Sequence, residues 1–124
     1  MILLVDVGNT RIKWGMFGAG AWRGKDALPT DAVADLASRW RGLNPTWVGI
    51  SNVAGDDIVL SIERACPAGT PIYWLKPELD AHGIRNGYAA PASLGADRYA
   101  ALIAAHKMNL GHVVVASLGT ALTV

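Results

Sequence analysis

The chain has 124 residues and a formal net charge of +1, from 11 lysines and arginines against 10 aspartates and glutamates. This length allows one domain of roughly 150 residues at most, and a composition of 52% hydrophobic and 17% charged residues excludes a disordered chain. The sequence has no cluster of basic residues that would bind a nucleic acid. It also has no apolar run long enough for a signal peptide or a membrane span. We therefore expect a cytoplasmic protein that binds neither nucleic acid nor membrane.

The first part of the chain predicts three strands joined by tight turns. The apolar run 2–5 predicts a buried strand, and Gly8-Asn9-Thr10 predicts a turn because glycine reaches positive φ and asparagine tolerates it. Residues 11–17 alternate as a second strand, and residues 21–28 predict a third after a turn at 18–20. The chain therefore opens as an antiparallel hairpin or meander.

After this meander, the apolar period changes to that of helices. Helices are predicted over about residues 33–40, 58–65 and 94–108. Their candidate N-caps are Thr30 or Asp31, Asp56 or Asp57, and Ser93. Between and after the helices, strands are predicted at residues 47–52, 72–75, 113–116 and 121–124, with a polar loop at 76–92 and a turn at 117–120.

This order of elements indicates an α/β protein with a mixed sheet flanked by helices. The last two predicted strands have no following helix to cover them. We therefore expect that the sequence is part of a longer chain, or that another chain supplies the cover.

The cysteine and histidine residues favour structural roles. Cys66 has no second cysteine to pair with, and its apolar neighbours favour a buried thiol. His82, His106 and His112 show no metal-ligand spacing with Cys66 or with one another. The turn at residues 18–20 lacks the rest of a dinucleotide fingerprint, which argues against NAD.

A carboxylate beside a glycine turn is the first candidate site. Asp6 ends the first strand, where it could hold Mg²⁺ through water, and the following turn could offer its N–H groups to phosphate oxygens. Lys13 could reach a phosphate from the next strand. The alternative is a tight hairpin with Asp6 as an ordinary turn residue.

A second strand-turn-strand element lies at residues 118–121. Its glycine allows close approach of a ligand, and the Thr120 hydroxyl could donate to a phosphate. A plain hairpin is the alternative, but two phosphate-binding hairpins that face one cleft are a known solution for ATP.

The third candidate site is Gly95-Ala96-Asp97-Arg98, at the start of the third helix. Asp97 could orient an attacking hydroxyl in phosphoryl transfer, and Arg98 could bind a carboxylate. The alternatives are a charge that complements the helix dipole and a solvated surface arginine. Tyr88, in the preceding glycine loop, could close a small pocket or be an ordinary loop tyrosine.

Together, the motifs Asp6-Val7-Gly8-Asn9-Thr10, Asn86-Gly87-Tyr88, Gly95-Ala96-Asp97-Arg98 and Gly119-Thr120-Ala121-Leu122-Thr123 resemble those of type III pantothenate kinases. This family, which includes members first named Bvg accessory factor, has the fold of actin and of the acetate and sugar kinases. The resemblance implies ATP-dependent phosphorylation of pantothenate, the first step of coenzyme A synthesis. It also implies an N-terminal actin-like domain at residues 1–116, and the start of a second, similar domain at residues 117–124.

The resemblance further implies the site residues. ATP would bind Asp6, Val7, Gly8, Asn9, Thr10, Arg11, Ile12, Lys13 and Thr120, with Mg²⁺ near Asp6. Pantothenate would bind Tyr88, Gly95, Ala96, Asp97 and Arg98, with Asp97 as the proton acceptor. Ser117 stands where many members carry an aspartate that binds a monovalent cation. Because a serine hydroxyl is a weaker ligand, the resemblance leaves open whether the cation is potassium or ammonium. The family's homodimer would complete the pantothenate pocket beyond residue 124.

Two other functions stay open on the sequence alone. The first is a non-catalytic ATP- or metabolite-binding protein on the same fold, with an accessory or regulatory role. The second is an α/β fragment with no independent function, which would be poorly soluble because a sheet face or edge is uncovered.

Overall fold

The computed structural model of the chain describes residues 1–118 and 122–123. The chain divides into two compact units, Met1–Leu75 and Lys76–Val124. The domain boundary expected after residue 116 stays a prediction.

The first unit is built on a mixed five-stranded sheet. Its strands are β1 (Ile2–Val7), β2 (Arg11–Gly18), β3 (Ala21–Pro29), β4 (Val48–Asn52) and β5 (Ile72–Trp74). They lie in the order β3-β2-β1-β4-β5. The pairs β1–β2 and β2–β3 are antiparallel, whereas β1–β4 and β4–β5 are parallel. The prediction of an α/β protein with a mixed sheet is therefore confirmed.

Helices connect the parallel strands of this unit. A 3-10 helix, Thr30–Asp35, continues into α1 (Leu36–Arg39), and α2 (Val59–Ala65) precedes β5. The predicted N-caps are wrong, because none of these helices has a side-chain capping hydrogen bond. The residues that precede them are Pro29, Asp35 and Ile58, and the Thr30 hydroxyl bonds elsewhere.

The core lies on one face of the sheet. Alternate residues of β1 and β2 are paired in register on this face, as in Val5 with Trp14. They pack in one cluster with the helices, whose Leu36, Trp40 and Ile62 are buried. Each such side chain contributes about 1.5–3 kcal/mol through burial. The predicted face of β2 is therefore confirmed, since its apolar residues belong to this cluster: Ile12, Trp14 and Met16.

Tryptophans pack over glycines elsewhere in the sheet. A Cβ at Gly15 would lie 2.7 Å from the Trp22 ring, and one at Gly49 would lie 2.8 Å from the Trp47 ring. Trp22 also makes an edge-on contact with Phe17, as Trp47 does with Tyr73. These close approaches explain the glycines at position 15 of β2 and position 49 of β4.

The second unit contains two short hairpins and a helix. The first hairpin joins β6 (Asp80–Ala81) to β7 (Ile84–Arg85), α3 spans Ala96–Lys107, and β8 (Ser117–Leu118) pairs with β9 (Leu122–Thr123). The β6–β7 hairpin lies inside the predicted loop 76–92. Its two turn residues, His82 and Gly83, have φ of 56° and 81°, and a histidine in that conformation is uncommon.

Two predictions in the second unit are wrong. Ser93 does not cap α3: its hydroxyl donates to the Ala90 carbonyl within a 3-10 turn, and Gly95 precedes the helix. Residues 113–116 form no strand with any part of the chain that the structure describes. A strand needs a neighbour for its backbone hydrogen bonds, and Val114 is 82% exposed.

Candidate functional site

The turn between β1 and β2 is closed by its own backbone. The Gly8 N–H donates to the Arg11 carbonyl over 3.0 Å. A Cβ on Gly8 would lie 3.1 Å from that same carbonyl oxygen, so the position favours glycine because of space. The expectation of positive φ at Gly8 and Asn9 is wrong, since neither lies in the left-handed region.

Asp6 and Lys13 are adjacent across this hairpin. They are partners in the β1–β2 register, and the Lys13 Nζ lies 3.8 Å from the Asp6 Oδ2. Both side chains are about half exposed, at 48% for Asp6 and 63% for Lys13. The carboxylate is therefore accessible to a ligand from solvent, and the ammonium group lies beside it.

Ser51 extends this group of polar residues on the other side of β1. It is the β4 partner of Asp6 in the parallel register, so the two side chains share a face of the sheet. The Ser51 Oγ is buried and has no hydrogen-bond partner in the described part of the chain. The sequence analysis did not identify Ser51, because a serine inside a predicted strand carries no signal of its own.

Thr30 binds the turn from the end of β3. Its hydroxyl donates to the Gly8 carbonyl over 2.7 Å, and its N–H donates to the Thr10 carbonyl over 3.0 Å. The Val53 N–H donates to the Val7 carbonyl over 2.9 Å. Three carbonyls of the hairpin are thus held by residues distant in sequence. Thr30 carried a sequence signal, but the signal was interpreted as a helix cap.

In the second unit, Asn86 organises the loop that carries Tyr88. Asn86 is buried, and its amide donates to the Pro91 carbonyl over 3.0 Å. Its side-chain oxygen accepts from the Tyr88 N–H over 3.1 Å. The Tyr88 side chain is exposed. The Asn86-Gly87-Tyr88 motif therefore combines a buried loop anchor with an accessible aromatic ring.

Asp97 and Arg98 lie in the first turn of α3, directly after Gly95 and the buried Ala96. The Asp97 Oδ1 accepts from the Arg98 backbone N–H over 2.8 Å. Both side chains are exposed. A carboxylate and a guanidinium are thus accessible side by side at the start of one helix.

A cavity of about 640 Å³ lies within the second unit. Its lining includes Asn86, Tyr88, Tyr99 and His106, but neither Asp97 nor Arg98 among the described residues. The Tyr99 hydroxyl is buried without a partner in the described part of the chain. Of the residues expected to bind pantothenate, Tyr88 alone therefore lines this cavity.

The remaining expected residues lie at the second hairpin. Ser117 is exposed and begins β8, where it pairs with Thr123. Thr120 lies outside the described residues. The expected residues thus form separate groups: residues 6–13 in the first unit, and Tyr88, residues 95–98 and Ser117 in the second.

Within residues 1–118 and 122–123, no three or more histidine, cysteine, aspartate or glutamate residues cluster as a metal site would require. None of the helices in this part of the chain has the length and apolar character that a membrane crossing requires.

Cys66 is partly buried, at the end of α2, rather than fully buried as expected. Burial, and secondarily the Glu63 carboxylate, raise the pKa of its thiol from 9.0 to about 11. The thiol is therefore protonated at neutral pH, which is consistent with the structural role predicted for it.

Comparison with known proteins gives a consistent result. The sequence profile described as type III pantothenate kinase matches residues 2–124. A type III pantothenate kinase of Aromatoleum aromaticum is 42% identical over 128 residues, which cover 100% of this chain and 52% of that protein. One of Azoarcus sp. strain BH72 is 41% identical over 133 residues, covering 100% of this chain and 49% of the relative.

A third relative extends the same pattern. The type III pantothenate kinase of Janthinobacterium sp. strain Marseille is 39% identical over 137 residues, with 100% of this chain and 53% of the relative covered. The chain thus spans about half the length of the curated relatives it matches.

Proposed function

Because this chain belongs to the type III pantothenate kinase family, whose fold is that of the actin-like ATPases, we propose that the full-length protein phosphorylates pantothenate with ATP. The product is 4'-phosphopantothenate, and the reaction is the first step of coenzyme A synthesis. The observation that carries the proposal is the family match over residues 2–124. The activity is that of the whole protein, of which this chain represents about half the length of its relatives.

Residues 6–13 are the proposed ATP site. The Asn9 N–H of the hairpin turn would face a phosphate oxygen, and Lys13, beside Asp6, adds a positive charge. The residues fit a hydrated magnesium ion, since one accessible carboxylate, Asp6, lies next to a hydroxyl, Ser51 Oγ, that lacks a partner in the described residues. Magnesium keeps several waters and usually needs only one or two carboxylates. When bound, it would neutralise charge on the phosphates.

Thr120 and Ser117 are the proposed ligands of ATP and of a monovalent cation in the second unit. Thr120 contributes a hydroxyl, as the resemblance implies. Ser117 takes the position of the monovalent cation ligand, where it offers a neutral hydroxyl instead of a carboxylate. Because a neutral oxygen holds a cation less strongly than a carboxylate does, we include both potassium and ammonium as candidate cations.

Residues 95–98 and Tyr88 are the proposed pantothenate site. Arg98 binds the pantothenate carboxylate through its bidentate guanidinium, and Tyr88 covers the substrate. Asp97 orients the primary hydroxyl and accepts its proton. The hydroxyl oxygen forms a bond to the γ-phosphorus as the bond to the β–γ bridging oxygen breaks, and ADP leaves. Catalysis therefore depends on positioning and charge rather than on a strong base.

Two further properties belong to this proposal. The protein acts as a homodimer whose second subunit completes the pantothenate pocket, and it works in the cytoplasm, where ATP is available. The dimer can be checked by sedimentation of the full-length protein.

The proposal is tested by pantothenate-dependent release of ADP. The full-length protein is assayed with Mg²⁺ and either potassium or ammonium, beside the variants Asp97→Asn and Asp80→Asn. Asp80 is another exposed aspartate of the second unit, at β6, and serves as the matched control. We expect Asp97→Asn to lower kcat by about 10²–10⁴-fold and Asp80→Asn to leave it unchanged.

Two outcomes would contradict the proposal. Full activity in Asp97→Asn would remove the role given to that carboxylate. A wild-type protein that binds ATP but releases no ADP in response to pantothenate would instead be a non-catalytic nucleotide-binding protein.

A further inference from the structure

We propose that Thr30 is the positioning residue of the phosphate-binding turn, an inference that rests on the nucleotide site proposed above. Thr30 is 22 residues away from Gly8 in sequence, yet its hydroxyl donates to the Gly8 carbonyl over 2.7 Å. The bond is partly buried, so water competes with it less than at the surface. Thr30 lies outside the proposed ATP segment, residues 6–13, and acts on it through this bond.

The bond acts through the geometry of one peptide group. In a trans peptide, the carbonyl and the N–H point in opposite directions. No peptide bond of the described chain is cis. Because the Gly8 carbonyl points to Thr30, the N–H of the same peptide, which belongs to Asn9, points away from Thr30. The Thr30 hydroxyl therefore fixes the direction in which Asn9 offers its N–H.

The neighbouring peptides are held in the same way. The Val7 carbonyl accepts from the Val53 N–H, and the Thr10 carbonyl accepts from the Thr30 N–H. These two bonds are made by backbone groups, so many residue types could supply them. The bond to the Gly8 carbonyl, in contrast, is made by a side chain and requires a hydroxyl at residue 30.

The local sequence holds this hydroxyl in place. Pro29 precedes Thr30 with φ of −59°, and a proline ring fixes that angle. Thr30 then begins the 3-10 helix. Threonine is also β-branched, which restricts its χ1 rotamer. The local chain thus restricts the positions that the hydroxyl can take before any ligand arrives.

Such preorganisation favours phosphate binding. An N–H donor that already points to where the phosphate charge will lie does not have to be reoriented when the ligand binds. Without the Thr30 hydroxyl, the Gly8–Asn9 peptide loses a side-chain hydrogen bond from outside the turn, and its orientation becomes freer. The Asn9 N–H would then have to be ordered by ATP itself, at a cost in affinity.

Kinetics of the full-length enzyme test this inference. Thr30→Val keeps the shape of the side chain and removes the hydroxyl, whereas Thr30→Ser keeps the hydroxyl. We expect Thr30→Val to raise KM for ATP about five- to tenfold, as the loss of one hydrogen bond suggests, without a change in KM for pantothenate. Thr30→Ser should restore KM for ATP to within about twofold of wild type.

Thr46 supplies the matched control at the other end of β1. Its hydroxyl and its N–H both donate to the Met1 carbonyl, over 3.1 and 2.8 Å. Thr46→Val therefore also removes a threonine hydroxyl bonded to a main-chain carbonyl near β1, but away from the turn. It should leave KM for ATP unchanged. An equal rise in both valine variants, or an unchanged KM for ATP in Thr30→Val, would overturn the inference.

A measurement on the wild-type protein covers the case in which Thr30→Val fails to fold. Amide hydrogen exchange is followed by NMR without nucleotide and with ATP and Mg²⁺. We expect the Asn9 amide to become protected when the nucleotide binds. ATP binding without protection at Asn9 would overturn the inference, and so would a lack of ATP binding. Protection at Asn9 in a protein that does not phosphorylate pantothenate would support the contact of Asn9 with the nucleotide, on which the inference depends, while the proposed function fails.

Discussion

Asp6 and Lys13 are partners across the β1–β2 ladder, with the lysine Nζ 3.8 Å from the carboxylate Oδ2. Both side chains are largely exposed, and ion pairs of this kind are worth about 0–1 kcal/mol. The pair therefore contributes little to folding. Lys13 can turn to a phosphate without a large loss of stability, which suits a residue that binds charge only when the ligand is present.

Replacing Lys13 by methionine tests this separation of folding from binding. We expect Lys13→Met to raise KM for ATP about tenfold, since a charge-assisted contact is lost. The free energy of unfolding should change by less than about 1 kcal/mol. Both values are measured on the full-length protein, by kinetics and by urea denaturation. Lys25→Met, in β3, is the control: Lys25 stacks on the Trp22 ring, and its loss should not affect KM for ATP.

Asn86 permits a graded test of the loop that carries Tyr88. Asn86→Ala removes both side-chain hydrogen bonds, to the Pro91 carbonyl and from the Tyr88 N–H. We expect a loss of about 1–3 kcal/mol in unfolding free energy, because the buried Asn86 side chain makes two part-buried hydrogen bonds that the variant lacks. KM for pantothenate should rise with it. Asn86→Asp keeps the oxygen that accepts from the Tyr88 N–H, so its KM for pantothenate should lie between those of the wild type and of Asn86→Ala. An unchanged KM for pantothenate in Asn86→Ala would refute the role of the loop.

Ser51 should behave differently from most buried polar residues. Its hydroxyl is buried without a partner in the described residues, so the folded protein bears the desolvation of that group. Ser51→Ala removes the hydroxyl, and we expect an unfolding free energy about 1 kcal/mol higher in the absence of ligand. Ser38→Ala is the comparison, because the Ser38 hydroxyl already donates to the Asp35 carbonyl. A clear fall in the unfolding free energy of Ser51→Ala would show that the Ser51 hydroxyl has a hydrogen-bond partner after all.

Cys66 gives the protein a defined response to alkaline pH. The folded-state pKa is about 11, raised from 9.0 by burial and by Glu63, so the folded protein holds the thiol proton more tightly than the unfolded chain. The contribution of Cys66 to stability is therefore complete below pH 9 and is lost as the pH rises from 9.0 to about 11.

Alkylation measures this shift directly. At a pH near 10, the folded thiol is mostly protonated while the unfolded thiol is mostly thiolate, the reactive form. We expect iodoacetamide to label Cys66 about tenfold more slowly in the native protein than in urea. Equal labelling rates would contradict the raised pKa.

The strands and the core of the first unit follow from the sequence, and the helix starts do not. The alternation through Ile12, Trp14 and Met16 predicted the buried face, because a half-buried strand has a period of two residues. The capping residues predicted the helix starts wrongly, because a side-chain hydroxyl or carboxylate that can cap a helix can equally bond a distant backbone group. Thr30 does so with Gly8, and only the tertiary fold reveals that choice.

The site residues also divide into those that the sequence predicts and those that only the fold reveals. Asp6, Asp97 and Tyr88 stand in motifs that a sequence displays, and the structure leaves all three accessible. Ser51 becomes part of the site through the parallel pairing of β1 with β4, which joins residues 45 positions apart. The strand predicted at residues 113–116 failed for a related reason: its apolar residues indicate burial, but pairing depends on a neighbour that local sequence does not specify.

The distribution of aromatic residues makes the two units optically distinct. All five tryptophans, residues 14, 22, 40, 47 and 74, lie within Met1–Leu75, whereas Lys76–Val124 has only tyrosines, Tyr88 and Tyr99, as fluorophores. Emission excited selectively at tryptophan will therefore follow the unfolding of the first unit and be blind to the second. A transition seen by circular dichroism but absent from tryptophan fluorescence would belong to the half of the chain that carries Asp97.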